Sequence, residues 1–365
     1  MASKAFLDSI IDDLDRKTVK IPISKSYLDA FYEKIRNPNE KPCFKFKKIA
    51  IVSLDKNLIE KFRKTFPDIS FVDTKQFLSS EESVDLIIVS DFLSAFDNKT
   101  CAKFSKFLTT RSKKCIFTMR VSPNRSKPDR PRQLLQLTSI IEDCWAAIDA
   151  SFVKKSAYVY AKKRKRKKLT FPSRDRHFDR SKDRYQYHVL CMALSSLKDR
   201  GLAIDIGGHI GLYAIAMSEI FDYVISFEPY KENYNCLHAN TSSIPNISPL
   251  NIALSDKNEL LDPILDPKNS GNTVLKKGKR IQAKTLDEFS FKKVSLIKID
   301  VQGFEEKVLR GAYKTIRYNQ PILIVELIVD GTADKPNKKA LDYLSNKLGY
   351  KILSRYGKDF IMGPK

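Results

Sequence analysis

The sequence predicts an α/β protein whose C-terminal part, residues 201–365, is a Rossmann-like, mostly parallel sheet with one antiparallel strand inserted at an edge. A smaller α/β domain is predicted before it. Two observations indicate this class. Short aliphatic runs alternate with longer amphipathic segments, as in parallel strands joined by helices. The final stretch, YKILSRYGKDFIMGP, reads as two short strands joined at Gly357, which is typical of an antiparallel hairpin.

The N-terminal part divides into two segments. Residues 1–44 are polar with a short amphipathic pattern and are predicted to be helical. Residues 45–122 carry apolar runs separated by helical patterns and are predicted to form the small α/β domain. Its predicted strands are 47–55, 69–73, 84–91 and 113–120. The turn after the first strand contains no glycine, so we do not expect this domain to hold a nucleotide.

Residues 123–200 are predicted to join the two domains through a linker, a buried helix over 133–152 and a basic hairpin. Alternating residues at 158–160 and 169–171 predict the two strands of that hairpin. The tip between them, residues 162–168, is a run of seven consecutive cations.

The basic tip, Lys162 to Lys168, is the candidate contact for an anionic partner such as nucleic acid. Lys163, Arg164 and Arg166 are its candidate anion-binding residues, and the formal net charge of +23 supports an anionic partner. A solvated hairpin tip and a nuclear-import-like patch are the alternatives. The run predicts salt-sensitive binding without sequence specificity.

Composition excludes some classes of protein. No apolar run approaches the roughly 20 residues that a membrane span requires, so no membrane span is predicted. The six cysteines form no C-x-x-C pair and no zinc-type cluster with histidine. This favours buried thiols in a reduced compartment, the cytoplasm, or the host-cell cytoplasm if the protein is viral. We expect the N-terminal domain to shape access to the substrate or to form a dimer.

The stretch AIDIGGHIGLYAIAMSEIFDYVISFEP, residues 203–229, predicts the cofactor. Its glycines do not match the G-x-G-x-x-G pattern of dinucleotide sites. A carboxylate two residues before the glycine loop, Asp205, would repel a pyrophosphate and attract a cationic sulfonium. Glu228 ends the second strand, where its carboxylate can accept hydrogen bonds from both ribose hydroxyls. The pattern therefore favours S-adenosylmethionine, and a tight turn with an exposed acid is the alternative.

The candidate cofactor residues lie in the glycine loop, at the end of the second strand and at the exit of the third. They are Asp205, Gly207, Gly208, His209, Gly211, Glu228, Pro229 and Ala253.

The C-terminal half resembles the FkbM-type methyltransferases from about residue 175 to residue 365. The resemblance is carried by AIDIGGHIG, VISFEP, Asn240, NIALSD (251–256), TLDEF (285–289), IKIDVQGFEEKVLRG (297–311) and PILIVE (321–326), in that order. It implies a class I methyltransferase fold and S-adenosylmethionine-dependent O-methylation of a hydroxyl, in known members often on a sugar or a polyketide. Where the family usually has Asp-x-Glu-Gly-x-Glu, this chain has Gln302 in place of the first Glu, which puts a catalytic role at that position in doubt.

The candidate catalytic residues cluster around the fourth strand. Asp300 follows that strand, where open α/β sheets place their sites, and it is the candidate base or orienting group for the acceptor hydroxyl. Lys298, two residues earlier, points to the same side and is either catalytic or an ion-pair partner beneath the site. Glu305 and Glu326 are secondary candidates. No metal site is predicted.

His177 and Gln302 are candidate substrate-binding residues, and His177 and His209 are lower-ranked candidate bases. The predicted acceptor is a hydroxyl of a glycan or of another small or anionic molecule. Two alternatives remain: a ribose 2′-hydroxyl of RNA held by the basic hairpin, and a binding or structural protein that has kept the fold without activity.

Overall fold

The computed structural model describes residues 47–53, 58–65, 67, 69–90, 98–120, 145–153, 156–163, 168–173, 175, 187–327 and 337–365. The chain divides into two compact units, Met1–Lys165 and Arg166–Lys365. The described part of the first unit contains one sheet, and that of the second contains two.

Six described strands form the sheet of the first unit, in the order β2-β1-β3-β4-β6-β5. They are β1 (Lys48–Ser53), β2 (Ser70–Val72), β3 (Leu86–Ser90), β4 (Lys114–Arg120), β5 (Trp145–Val153) and β6 (Ser156–Lys163). Strands β2, β1, β3 and β4 are parallel, which confirms the predicted strands of the small α/β domain. The helices are α1 (Leu58–Thr65), α2 (Thr74–Ser79) and α3 (Asn98–Leu108).

The helix predicted over 133–152 is wrong for residues 145–152. These residues belong to β5, which pairs antiparallel with β6. Because a short apolar run has the same composition in a buried strand and in a buried helix, the run alone did not distinguish them. Pairing with β6 satisfies the backbone of β5, and residues 133–144 lie outside the described residues.

The predicted basic hairpin is also wrong. Residues 169–171 form no strand, and Thr170 instead exchanges backbone hydrogen bonds with the Asn240 side chain at 2.7 and 2.9 Å. Strand β6 pairs with β4 and β5, so the cations that end β6 do not sit at the tip of a hairpin with 169–171. Lys163 ends β6, whereas Arg164, Arg166, His177 and the predicted helix of residues 1–44 lie outside the described residues.

Seven described strands form the main sheet of the second unit, in the order β16-β17-β15-β14-β7-β8-β9. They are β7 (Leu202–Ile206), β8 (Tyr223–Phe227), β9 (Ile247–Leu250), β14 (Val294–Ile299), β15 (Ile322–Glu326), β16 (Tyr350–Tyr356) and β17 (Asp359–Pro364). The first five run parallel, and β17 inserts antiparallel between β15 and β16. The predicted Rossmann-like sheet with an inserted antiparallel strand is confirmed. Its parallel strands end at a common edge, and the candidate site lies there.

The helices of this unit cover the sheet and bury its aliphatic side chains. They are α4 (Tyr187–Leu194), α5 (Leu212–Ser218), α6 (Lys231–Thr241), α7 (Glu305–Gly311), α8 (Tyr313–Asn319) and α9 (Lys338–Asp342), the last continued by a π-turn at Tyr343–Lys347. Two helices, α7 and α8, follow β14, because the helical chain is interrupted at Ala312.

A second, four-stranded sheet lies between β9 and β14 along the chain and was not predicted. Its strands are β10 (Ala253–Leu254), β11 (Glu259–Ile264), β12 (Val274–Lys277) and β13 (Ile281–Lys284), in the order β10-β13-β11-β12. A short 3-10 turn, Ser270–Asn272, joins β11 to β12, and a second one, Leu286–Phe289, follows β13.

No helix in the described part of the chain is long and apolar enough to cross a membrane. The four cysteines that the structure describes, Cys101, Cys115, Cys191 and Cys236, are buried and form no disulfide bond with one another.

Candidate active site

A cavity of about 380 Å³ opens where β7, β8 and β14 end. Its floor is formed by residues 206–209, 227–229 and 300–302, which directly follow those three strands. Residues 269–273 of the small sheet form a facing wall. The volume falls within the range of small-molecule sites, and the strand ends are where open α/β sheets bind ligands.

The glycine loop closes tightly over the sheet. The backbone N–H groups of Gly207 and Gly208 both donate to the carbonyl oxygen of Phe227, at 3.0 and 2.9 Å. A Cβ on Gly207 would lie 1.9 Å from the carbonyl oxygen of Asp300, and one on Gly208 would lie 2.1 Å from Oγ of Ser226. Any other residue at either position would therefore force the loop or its neighbours to shift.

Glu228 is held on the cavity wall by backbone donors. Its Oε2 accepts from the N–H of His209 at 2.8 Å, and its Oε1 accepts from the N–H of Tyr230 at 2.9 Å. Burial raises the pKa of Glu228 to about 7, although these two hydrogen bonds act in the opposite direction. Each carboxylate oxygen keeps a further lone pair, so Glu228 can accept two more hydrogen bonds.

Asn233 adds a polar group that the sequence analysis missed. It lies in the first turn of α6 and is 2% exposed. Its Nδ2 donates to the carbonyl oxygen of Ser270 at 3.1 Å, while its Oδ1 has no hydrogen-bond partner among the described residues. Because Asn233 lines the cavity, that oxygen is an acceptor available to a ligand.

Asp205 forms the centre of a row across three strands. The register pairs Lys298 of β14 with Asp205 of β7, and Asp205 with Ser226 of β8. Ser226 donates to Oδ2 of Asp205 at 3.0 Å, and Nζ of Lys298 lies 3.5 Å from Oδ1. Asp205 is completely buried and does not line the cavity, so its interactions are with this row.

The positive charge of Lys298 compensates the negative charges of two carboxylates. Besides Asp205, its Nζ lies 3.3 Å from Oδ2 of Asp300 and donates to the carbonyl oxygen of Gly207 at 3.3 Å. The ring of Tyr213 lies 4.8 Å from the ammonium group. The side chain is nearly fully buried, which is the environment of an ion-pair partner beneath the site.

Gln302 bridges two acids at the far end of the cavity. Its Nε2 donates to Oδ1 of Asp300 and to Oε2 of Glu326, both at 2.8 Å. Its backbone has φ of 51°, a left-handed conformation that turns the side chain back towards the strand ends. Both amide hydrogens are thereby used, so Gln302 has no side-chain N–H left to bind an anion, and what it can offer a ligand is its carbonyl oxygen.

The two bridged acids differ in charge state. Burial alone would raise the pKa of Asp300, but the charge of Lys298 and hydrogen bonds from Glu326 and Gln302 lower it to about 2. Burial and the neighbouring Asp300 raise the pKa of Glu326, against the effect of Lys358, which contacts its Oε1. Asp300 is therefore ionised at neutral pH, and Glu326 retains its proton more strongly than an ordinary glutamate.

The remaining candidates occupy different places. Pro229 lines the cavity, whereas Ala253 is buried in the core of the small sheet, next to the lining residue Leu254. Glu305 is buried at the start of α7, where its Oε1 accepts from the N–H of Gly303 at 2.8 Å, and burial raises its pKa. Neither Ala253 nor Glu305 lines the cavity, and Gly211 lies at the start of α5, where a Cβ would be 2.8 Å from Leu237.

His209 belongs to a hydrogen-bonded chain that the sequence did not indicate. Its Nε2 lies 2.6 Å from Oγ of Ser270, and Ser270 donates to Oδ2 of Asp175. Asp175 and Ser270 are buried, and His209 and Ser270 line the cavity. The turn-forming residues DPKNSGN at 266–272 predict a loop there, but nothing in the sequence predicts that the loop meets the glycine loop.

A family match covers much of the C-terminal part. Residues 205–352 match the model of the methyltransferase FkbM domain. No curated protein sequence matches the chain significantly.

Solved structures give remote matches. The methyltransferase FkbM from Methylobacillus flagellatus KT is 11% identical, with 98% of each chain covered and a TM-score of 0.33. The precorrin-6y C5,15-methyltransferase from Geobacter metallireducens GS-15 is 12% identical, with 53% of this chain and 91% of that chain covered and a TM-score of 0.33. The T. thermophilus 16S rRNA N2 G1207 methyltransferase RsmC, solved with AdoMet and guanosine, is 9% identical, with 94% of each chain covered and a TM-score of 0.30. The functional conclusion rests on the family match and on the site.

Proposed function

Starting from the methyltransferase FkbM domain that the chain carries at residues 205–352, we propose that the protein transfers a methyl group from S-adenosylmethionine to a hydroxyl group of a glycan or of another small anionic acceptor. The observation that carries this proposal is the placement of Glu228, a buried carboxylate held by two backbone N–H groups on the wall of a cavity of about 380 Å³.

The cavity fits S-adenosylmethionine better than a dinucleotide. Glu228 has lone pairs left for two ribose hydroxyls, and Oδ1 of Asn233 is a buried acceptor without a described partner. The described cations on the wall, Lys298 and Lys358, already contact carboxylates, so they are not placed to hold a pyrophosphate. When bound, the cofactor supplies a methyl group on a sulfonium that is already activated for transfer.

The far end of the cavity supports a hydroxyl acceptor. Asp300 is ionised and can only accept hydrogen bonds, and Gln302 offers its carbonyl oxygen because both of its amide hydrogens are used. A group that binds between them must donate a hydrogen bond, as a hydroxyl does. A carboxylate with a pKa of about 2 is a weak base. Asp300 therefore acts mainly by orienting the hydroxyl, so that the oxygen lone pair faces the methyl group. The oxygen would bond to the methyl carbon as the carbon–sulfur bond breaks and S-adenosylhomocysteine leaves. The protonated ether formed in this way is acidic enough to lose its proton even to a weak base, so Asp300 or water would accept that proton.

Cations beside that end support an anionic acceptor. Phe304 lines the cavity, and Nζ of Lys307 lies 4.3 Å from the centre of its ring and 3.7 Å from Oε1 of Glu259. Lys277 is exposed and lies on the same face of β12 as the lining residue Leu275, roughly 7 Å further along the strand. Lys277 would be available to a phosphate or carboxylate group carried by the acceptor.

The first test is calorimetric titration of S-adenosylmethionine and S-adenosylhomocysteine into the full-length protein and into Glu228→Gln. We expect the variant to bind at least about tenfold more weakly, because each hydrogen bond to a charged group contributes ~1.5–3 kcal/mol. Asp222→Asn is the matched control, since Asp222 is exposed at the opposite end of the same strand, and its affinity should not change. Absence of binding to the folded wild type would refute the proposal.

The second test is transfer of a labelled methyl group to a panel of neutral sugars, their phosphorylated counterparts and a single-stranded RNA. We expect product with a phosphorylated sugar, at a higher KM for Lys277→Gln and with little product for Asp300→Asn. Product with RNA alone would favour the ribose hydroxyl alternative. Cofactor binding without transfer to any of these acceptors would favour a binding protein.

A further inference from the structure

A buried chain of three side chains connects the glycine loop to a segment that precedes the family-matched region. His209 lies in the loop, Ser270 in the 3-10 turn of the small sheet, and Asp175 thirty residues before position 205. Nε2 of His209 lies 2.6 Å from Oγ of Ser270 and 3.9 Å from Oδ2 of Asp175, and Ser270 contacts that same Oδ2. Ser270 is fully buried, and Asp175 is 2% exposed.

The chemistry of the three groups fixes the direction of both hydrogen bonds. Asp175, as a carboxylate, can only accept, so the Ser270 hydroxyl hydrogen points to Asp175. A hydroxyl has one hydrogen, so Oγ of Ser270 can only accept from His209. Nε2 of His209 must therefore carry a hydrogen, and in a neutral imidazole the other nitrogen, Nδ1, is then the acceptor.

We propose that Asp175 and Ser270 are positioning residues that fix His209 as the Nε2–H tautomer and lock the orientation of its ring on the cavity wall. His209 then cannot accept a proton at Nε2, so the nitrogen that meets Ser270 is not a catalytic base. The ring instead holds the glycine loop against the wall formed by residues 269–273. Asp175, which lies outside residues 205–352, therefore contributes to the arrangement of the site.

Other contacts make this wall stiff enough to enforce one arrangement. Asn233 donates to the carbonyl oxygen of Ser270 at 3.1 Å, and the side chain of Asn269 accepts from the N–H of Gly271 at 3.0 Å. His209 itself has φ of 49°, a conformation that a non-glycine residue adopts only when its surroundings hold it there. Its backbone N–H is bound to Glu228 at 2.8 Å, so the ring and the backbone of His209 are fixed by separate partners.

The test is a long-range proton–nitrogen NMR spectrum of the cofactor-free, full-length protein with 15N-labelled histidine. The chain has four histidines, and His209→Gln identifies the signals of His209. We expect the Nε2–H tautomer in the wild type. In Ser270→Ala and in Asp175→Asn we expect a mixture of tautomers, because alanine removes the acceptor and an amide allows the hydrogen bonds to reverse. Ser248→Ala, on the edge strand β9, is the control and should leave the His209 signals unchanged.

A second measurement separates positioning from folding. Asp175→Asn keeps the size of the side chain, and we expect it to weaken S-adenosylmethionine binding by about fivefold while its melting temperature stays close to that of the wild type. The Nδ1–H tautomer in the wild type, or an Nε2–H tautomer that persists in both variants, would overturn the inference. This binding readout rests on the proposed function, whereas the NMR result does not. A wild type that shows the expected tautomer but binds no cofactor would therefore refute the function and leave the inference standing.

Discussion

The ends of β8 and β14 each place a carboxylate on the cavity wall, and the two carboxylates are held in opposite ways. Glu228, after β8, receives two backbone N–H groups, and burial raises its pKa to about 7. Asp300, after β14, is also subject to burial, but Lys298 and its hydrogen bonds lower its pKa to about 2. The same kind of position therefore yields one acid that titrates near neutrality and one that is always ionised.

The difference arises from the residue two positions earlier in each strand. Ser226 precedes Glu228, and Lys298 precedes Asp300, and both reach the buried Asp205 between them. Ser226 is uncharged, so it adds no charge near Glu228. Lys298 is a cation that interacts with both Asp205 and Asp300. At the Asp300 end, the charge of the carboxylate is therefore compensated by Lys298 without a ligand. At the Glu228 end no cation among the described residues forms an ion pair with the carboxylate, so a ligand that donates hydrogen bonds would stabilise its charged form.

We expect the largest effect, on the free energy of unfolding, from removing Lys298, the cation that is present at the Asp300 end and absent from the Glu228 end. Lys298→Met leaves the fully buried Asp205 and the partly buried Asp300 without a compensating cation, and breaking a buried ion pair from one side costs about 3–5 kcal/mol. We expect the free energy of unfolding to fall by that amount, measured by urea denaturation. Lys292→Met, at an exposed position two residues before the same strand begins, should change it little.

A second variant sharpens this prediction. Adding Asp300→Asn to Lys298→Met removes one of the two uncompensated charges and should restore part of the lost stability. Equal stability of Lys298→Met and the wild type would mean that water, rather than Lys298, compensates these carboxylates.

The strand ends of the site were predictable from the sequence, and its electrostatics were not. Apolar runs followed by Asp205, Glu228 and Asp300 place carboxylates at strand ends, because parallel strands finish at one edge. The sequence also placed Lys298 on the side of Asp300, because side chains two residues apart in a strand share a face. It did not indicate that Asp205 lies behind the cavity wall, since that depends on the register that aligns β14, β7 and β8.

The facing wall was not predictable for a different reason. Residues 259–284 form short strands whose pairing is out of chain order, with β11 between β13 and β12. Strands of four to six residues give too little periodicity to identify, and the contacts of Ser270 with Asp175 span 95 positions. The basic run at 162–168 led to the wrong prediction of a hairpin for a related reason. Its charge is evident from the sequence, but the pairing of β6 with β4 and β5, rather than with residues 169–171, is not.

The next largest effect should be on the affinity for the cofactor as the pH changes. We expect this pH dependence to arise from the titration of Glu228. Ribose hydroxyls donate to the carboxylate form, so binding lowers the pKa of Glu228 from its value of about 7 in the free protein. Affinity should therefore rise as pH rises towards 7 and level off above it, with about a tenfold difference between pH 6 and pH 8. Calorimetry at a series of pH values measures this.

Glu228→Gln is the control for the pH series, because its amide does not titrate. The ratio of wild-type to variant affinity should fall as pH falls from 8 to 6. A constant ratio would assign the pH dependence to another group, such as Asp359, whose pKa burial also raises to about 7.

The smallest effect should come from the bridge at the Asp300 end. Gln302→Ala removes the amide that joins Asp300 to Glu326, but Lys298 and Lys358 still compensate these carboxylates and the cavity admits water. We expect a loss of about 1 kcal/mol of stability in urea denaturation, compared with no change in Gln282→Ala on the exposed face of β13. Cofactor affinity should stay the same, since Glu228 lies at the other end, while the KM for the acceptor rises. Loss of cofactor binding in Gln302→Ala, with an unchanged KM for the acceptor, would contradict this assignment. It would mean that the Asp300 end contributes to binding the cofactor rather than the acceptor.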